Sequence, residues 1–240
     1  MILITRPKAQ ITNLESKLQA KGYSTFQESF YTLRYFKRNV SCDPNVNYIF
    51  SSIHSVKSLK KNRQINKFKN ANIIVIGQKV KKVLEECGCK NFIAIVPDSL
   101  ALFKIICSLD YSKRKYIYFC SNITNEDFFT KAYKNKINIK KKIVYKTIGI
   151  KKLTNELIKL FQLNKISAVI FYSQLSAKIY ARLLSKYKIL SNAKQIQIYC
   201  LSDRVAQPLR VKRLGKIHVA KKPNELSLIA SIKKNHFGNK

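Results

Sequence analysis

The sequence predicts an α/β protein made of two similar domains with parallel sheets, and three observations carry that expectation. Short runs rich in β-branched and aromatic residues alternate with amphipathic stretches over the whole chain. The alternation occurs twice, at an offset of about 115 to 126 residues. Two extended segments, residues 26–36 and 137–150, are too long for ordinary loops and suit connections between the copies.

The elements follow in order. Residues 2–5 form the first expected strand, followed by a helix and the extended segment at 26–36. Residues 48–51, 72–76 and 92–96 are short runs rich in apolar residues, as strands covered on both faces require. The helix after residue 76 ends at Gly88, which takes a left-handed C-terminal conformation at little cost. Pro97 is placed to open the next helix at its first position. The pattern then restarts: residues 116–145 resemble residues 2–31, each a strand, a helix and an extended run. Val169-Ile170-Phe171-Tyr172-Ser173 repeats Tyr48-Ile49-Phe50-Ser51-Ser52, in a strand at 168–172. A helix at 174–188 puts Leu175, Ile179, Leu183 and Leu184 on one side. The strand at 195–201, with a helix ending at Gly215, repeats 72–76, and a last strand is expected at 217–220. Pro223-Asn224-Glu225-Leu226 repeats Pro97-Asp98-Ser99-Leu100.

Composition narrows the function. Hydrophobic residues make up 46% of 240 residues with only 6 Gly and 5 Pro, which excludes disordered and collagenous classes. Lys and Arg total 47 against 12 Asp and Glu, a net charge of +35 that attracts nucleic acid, anionic lipid or a polyanionic small substrate. Lys60-Lys61, Lys81-Lys82, Lys140-Lys141-Lys142 and Lys233-Lys234 are scattered, and Lys, Asn and Ile abound throughout, which fits a codon bias as well as a binding surface. No apolar run reaches the roughly 18 residues of a membrane span and residues 1–5 are too short for a secretion signal, so a cytoplasmic protein is expected.

Six cysteines without a CxxC, and three histidines not spaced with them as ligands, point to reduced thiols and no metal. The GxGxxG, GxxxxGK[ST], HExxH and GxSxG signatures are missing, so no cofactor is expected. Asp43, Asp98, Asp110, Asp127 and Asp203 fall near element ends, where capping and solvation suffice.

Candidate binding residues stand at the carboxyl ends of the strands, where helix N-termini present unpaired N–H groups. They are Thr5 and Arg6, Ser51 and Ser52, Gly77 with Gln78, Ser121 and Asn122, Ser173 and Gln174, and Ser202 with Arg204. Each could simply cap its helix. Together, if the domains face one another, they would line a cleft suited to many carboxylates.

The chain resembles the uroporphyrinogen-III synthases. The resemblance rests on Ile4-Thr5-Arg6-Pro7, Ile49-Phe50-Ser51-Ser52-Ile53-His54-Ser55-Val56, Val75-Ile76-Gly77 with a helix closing in Cys87-Gly88, Val144-Tyr145-Lys146-Thr147, Ile170-Phe171-Tyr172-Ser173 and His218-Val219-Ala220 before Pro223. It departs where the family usually has Gly-x-x-Thr-Ala: here Gly77-Gln78-Lys79-Val80-Lys81 and Ser202-Asp203-Arg204-Val205-Ala206 lack the threonines, and Lys79 and Arg204 offer cationic donors instead. Gln174 stands where Pro is common.

The resemblance implies two flavodoxin-like domains joined by a two-strand extended hinge. Residues 1–36 with 148–240 would form a discontinuous domain, and residues 37–147 an inserted one. It implies a cofactor-free, monomeric lyase that closes the linear tetrapyrrole hydroxymethylbilane to uroporphyrinogen III. The last pyrrole ring is inverted through a spiro intermediate, with loss of water. The substrate bears an acetate and a propionate on every ring, which gives the basic chain a partner without nucleic acid or membrane. Tyr145 matches the tyrosine assigned to leaving-group loss, since a phenol of pKa about 10 donates a proton without titrating at neutral pH. An aromatic residue of high β propensity in an extended connector is the other account of Tyr145. The alternative function is a non-catalytic basic two-domain protein that binds an anionic ligand or nucleic acid at the same corners.

Overall fold

The computed structural model of the protein describes residues 1–7, 14–108 and 113–237, with side chains described up to residue 232. Asp110 and the side chains of Lys233 and Lys234 lie outside the described residues. In chain order the strands are β1 (Ile2–Ile4), β2 (Thr25–Gln27), β3 (Tyr31–Tyr35), β4 (Val46–Phe50), β5 (Asn72–Ile76), β6 (Phe92–Val96), β7 (Lys115–Ser121), β8 (Ile139–Gly149), β9 (Ala168–Phe171), β10 (Gln197–Cys200) and β11 (Lys216–Val219). The helices are α1 (Leu14–Gln19), α2 (Ile53–Lys61), α3 (Gln78–Glu85), α4 (Ser99–Ile106), α5 (Glu126–Lys134), α6 (Asn155–Gln162), α7 (Gln174–Lys186), α8 (Leu190–Ala193), α9 (Asp203–Val211) and α10 (Glu225–Phe237). Among the described residues no helix is long and apolar enough to cross a membrane.

The chain forms two compact units, Met1–Thr32 with Ile148–Lys240, and Leu33–Thr147. The first holds a five-stranded sheet ordered β11-β10-β9-β1-β2, all of whose pairs are parallel. Counted along this unit alone the order is 2-1-3-4-5, the flavodoxin-like arrangement. Alternation splits its strands between two cores. Leu3, Val169, Phe171, Ile198 and Cys200 pack with Leu157, Phe161, Tyr180 and Leu184. Ile2, Ile4, Ile170 and Tyr199 pack with Leu14, Leu18, Leu228 and Ile232. Both faces are covered, and β9 is therefore buried at every position.

The second unit holds a six-stranded sheet ordered β3-β8-β7-β4-β5-β6. With β7 and β8 taken as its first two strands it follows the same 2-1-3-4-5 order, so the repeated opening unit stands at the end of this segment of chain. Tyr48, Phe50, Ile73, Val75 and Phe119 face α2 and α3. Ile49, Ile74, Tyr118 and Cys120 face α4 and α5. The rings of Tyr48, Phe50, Phe68 and Phe119 meet at centroid distances of 4.8 to 6.3 Å, contacts worth about 0.5–1.5 kcal/mol each beyond area burial.

The extended segment at 26–36 is not one strand but two. β2 closes the first sheet beside β1, residues 28–30 cross over, and β3 joins the second sheet beside β8. Phe36 N donates to Val144 O at 3.0 Å and Ile150 N to Phe30 O at 3.1 Å. The two prolines also differ from expectation. Pro97 and Pro223 precede the capping residue rather than open the helix, because Asp98 Oδ1 accepts from Leu100 N and Ala101 N, and Asn224 Oδ1 from Ser227 N. Gly88, at φ 83°, ends the α3 region, with Cys89 N donating to Leu84 O. All six cysteines are unpaired thiols.

Candidate active site

In an open parallel sheet the ligand crevice opens at the carboxyl ends of the strands where the strand order reverses. That point lies between β7 and β4 in the Leu33–Thr147 unit, and between β1 and β9 in the other.

Around β7 and β4, Ser52 is the N-cap of α2, and its Oγ accepts from His54 N at 3.1 Å. Tyr145 Oη donates to the same oxygen at 3.2 Å. A bulge makes this meeting possible. Along β7 and β8, Cys120 pairs with Ile143 but Ser121 with Tyr145, so Val144 is the extra residue. A regular strand would send Val144 and Tyr145 to opposite faces; here both belong to one buried cluster, at 1% and 8% exposure. Ser58 Oγ holds the bulge by donating to Val144 O at 2.5 Å. Tyr145 is thus aimed at the N-terminus of α2 by its own pairing with β7.

Tyr35 and His54 complete the group. Tyr35 Oη lies 3.1 Å from His54 Nδ1, and the rings of Tyr35, His54 and Tyr145 are 5.8 to 6.4 Å apart. Burial raises the Tyr35 phenol above its ordinary value and so keeps it a donor. Ser121 Oγ donates to Asn122 Oδ1 at 3.0 Å and lies 3.1 Å from Thr147 Oγ1, while Thr147 N donates to Asn122 Oδ1 at 2.8 Å. These bonds tie the end of β7 to β8 two residues past Tyr145. Ser51 hydrogen-bonds Tyr118, whose phenol burial raises despite that bond.

Gly77, Gln78 and Lys79 stand one strand over, at the β5 corner. Gly77 is the N-cap of α3 at φ 87° and ψ 139°, and its N–H donates to Val96 O at 2.8 Å. Gln78 and Lys79 are exposed.

In the other unit the corners are more occupied by their own fold. Thr5 is buried, and its hydroxyl donates to Ile170 O at 2.7 Å across the β1–β9 pair. Ser173 caps α7 by accepting from Ser176 N at 3.1 Å. Gln174 Nε2 donates to Gln207 Oε1 at 3.3 Å, linking α7 to α9. Ser202 is the N-cap of α9 without a side-chain capping bond, and Arg204 in its first turn is exposed. The Arg6 guanidinium lies 4.4 Å from the centroid of the Tyr172 ring.

Sequence reasoning missed Tyr35, His54 and Thr147 as members of the group. Thr147 was discoverable, since a residue two along a strand from Tyr145 shares its face. Tyr35 was not, because nothing local says which sheet an extended segment joins.

The arrangement presents phenol, hydroxyl and helix N–H donors in one corner, chemistry that holds carboxylates and protonates a leaving oxygen. Compared with known proteins, residues 13–230 match the family described as uroporphyrinogen-III synthase HemD. Uroporphyrinogen-III synthetase from Helicobacter pylori superposes with a TM-score of 0.64 at 18% identity, covering 95% of this chain and 96% of that one. A mutant uroporphyrinogen III synthase from Thermus thermophilus gives a TM-score of 0.64 at 8% identity, covering 99% of each chain. At such identities the likeness is one of fold. A comparison with curated proteins by sequence finds no match.

Proposed function

The chain belongs to the uroporphyrinogen-III synthase family, enzymes of haem biosynthesis, and from that premise we propose that it is a lyase in which Tyr145 is the proton donor. The substrate of the family is hydroxymethylbilane, closed to uroporphyrinogen III. The observation that carries the role of Tyr145 is its hydroxyl, 3.2 Å from Ser52 Oγ at the N-terminus of α2.

The chemistry needs little more than positioning and one proton. The carbon–oxygen bond of the terminal hydroxymethyl group breaks, and the phenol supplies the proton with which the oxygen leaves as water. The ring system closes through the spiro intermediate to the inverted isomer. A ring carbon then gives up a proton, which restores the phenol, so the net change is loss of one water. At rest Ser52 Oγ, fixed by the His54 N–H, accepts the single proton of the phenol and so positions the ring; in the reaction the leaving oxygen replaces Ser52 as the acceptor of that proton. Within the Leu33–Thr147 unit, exposed Lys79 and the N-termini of α2 and α3 offer donors for carboxylates, and within the other unit exposed Arg204 and the N-termini of α7 and α9 do so. The working form is taken to be a cytoplasmic monomer of 27.8 kDa, which light scattering would check.

The test is turnover with product isomers resolved by chromatography. Purified protein without added metal or nucleotide is expected to convert hydroxymethylbilane to the inverted isomer. The uninverted isomer alone, at high protein concentration, would reduce the chain to a binding protein.

A further inference from the structure

Arg6 follows β1 at the point where the first sheet reverses its order. Its place is well defined: the guanidinium covers the Tyr172 ring at 4.4 Å, and its carbonyl accepts from Gln27 Nε2 at 3.0 Å. What holds its charge is a carboxylate of the protein itself. Arg6 Nη1 lies 3.4 Å from Glu225 Oε2, at the start of α10.

That pair is a poor version of what arginine can do. Guanidinium and carboxylate groups normally meet at about 2.7–2.9 Å and commonly in a two-bond fork. Here there is one long contact between side chains 31% and 28% exposed, a setting in which an ion pair contributes little. A second donor stands beside it unused. The Tyr172 hydroxyl, on the ring that Arg6 covers, is buried and has no hydrogen-bond partner among the described residues. Burial raises this phenol well above its ordinary value, with the Glu225 charge adding to the rise, so it stays protonated and able to donate. The chain has 12 acidic residues against 47 basic ones, and one of the 12 sits on this arginine.

We propose that Arg6 and Tyr172 form a carboxylate-binding site in which Glu225 holds the place of a ligand carboxylate and is displaced by it. The ligand class is a flexible polycarboxylate, whose acid group can take both arms of the guanidinium and the Tyr172 hydroxyl. The identification of that ligand with a side chain of the tetrapyrrole rests on the proposed function. Glu225 then acts as an internal competitor that weakens binding of every carboxylate ligand, the substrate included.

Removal of the competitor's charge provides the test. Binding of uroporphyrin III, which bears the same acetates and propionates, is measured by fluorescence titration alongside the KM and kcat for hydroxymethylbilane. Glu225→Gln is expected to lower the Kd for uroporphyrin and the KM about two- to fivefold, with kcat unchanged, the scale of an exposed ion pair. Arg6→Gln is expected to raise both, and in Arg6→Gln/Glu225→Gln the gain from Glu225→Gln should vanish. Tyr172→Phe should raise the Kd without lowering the thermal midpoint. An unchanged or weaker Kd in Glu225→Gln overturns the proposal, as does a gain that persists without Arg6, which would be a general charge effect. Failure of every variant to bind uroporphyrin also overturns it. Uroporphyrin binding without turnover instead leaves this site standing and removes the proposed function.

Discussion

Tyr145 reaches Ser52 only because Val144 is pushed out of register, so its hydroxyl is the part of the side chain that packing does not need. Tyr145→Phe keeps the ring in its cluster and loses the hydrogen bond to Ser52, a cost of about 1 kcal/mol. The variant is expected to fold and to lose about tenfold or more in rate, the lower range for a positioned proton donor. Unchanged turnover in the folded variant would leave Tyr145 as a packing residue. The cysteines allow a second test at this scale. Burial lifts the thiols of Cys89 and Cys120 to about 11 and that of Cys200 to about 12. The folded values are raised, so their contribution to stability is whole below pH 9 and is lost as pH climbs through 11 to 12. The same burial should protect them from alkylation at pH 8, where Cys42, Cys87 and Cys107, which are only partly buried, react first. Mass mapping of the labelled thiols would show it; early modification of Cys200 would contradict the assigned burial.

At the scale of elements, the turn from α9 into β11 depends on one glycine. Gly215 has φ 56°, and a Cβ there would stand 2.3 Å from the carbonyl oxygen of Ile196 and 2.9 Å from Ile198 Cδ1. The first of these atoms is backbone of the segment entering β10, which cannot move without shifting the β10–β11 pair. Gly215→Ala is therefore expected to cost about 2–4 kcal/mol, since strain and overpacking add. Gly77, also at positive φ but with nothing within 4 Å of its absent Cβ, should lose less on the same change. Urea unfolding of the two variants compares them, and equal midpoints would show that the Gly215 turn relaxes freely.

For the whole molecule, a net charge of +35 has two consequences of opposite sign. Self-repulsion destabilises the compact state, so added salt should raise the thermal midpoint. Attraction for a polycarboxylate is screened by the same salt, so the KM should rise as well. Measuring both between about 20 and 300 mM NaCl, across which the Debye length falls from roughly 20 to 6 Å, separates them. A KM that ignores salt would mean that the charge has no part in substrate capture.

Much of this was legible in the sequence, because strands covered on both faces must be short apolar runs wherever they lie. Val169-Ile170-Phe171 and Tyr48-Ile49-Phe50 show it, and so does the internal repeat that announces two alike units. The polar corners were legible for the same local reason, as Ser, Thr and Asn at strand ends cap helices. What those corners spend their hydroxyls on was not. Thr5 gives its hydroxyl to Ile170, 165 residues away, while Ser52 keeps its oxygen for Tyr145, 93 residues away. The bulge at Val144 was equally hidden, whereas a bridging role for residues 26–36 and the grouping of residues 116–145 with the preceding strands were implied only by the family resemblance and by no local pattern. Propensity and periodicity act over one turn or one strand, whereas partner and register are chosen by packing between segments far apart in the chain. Polar candidates at the strand ends could be listed from the sequence alone; which of them meet, and that Tyr35 and His54 join them, was decided by the pairing of β7 with β4, of β8 with β7 and β3, and of β1 with β9.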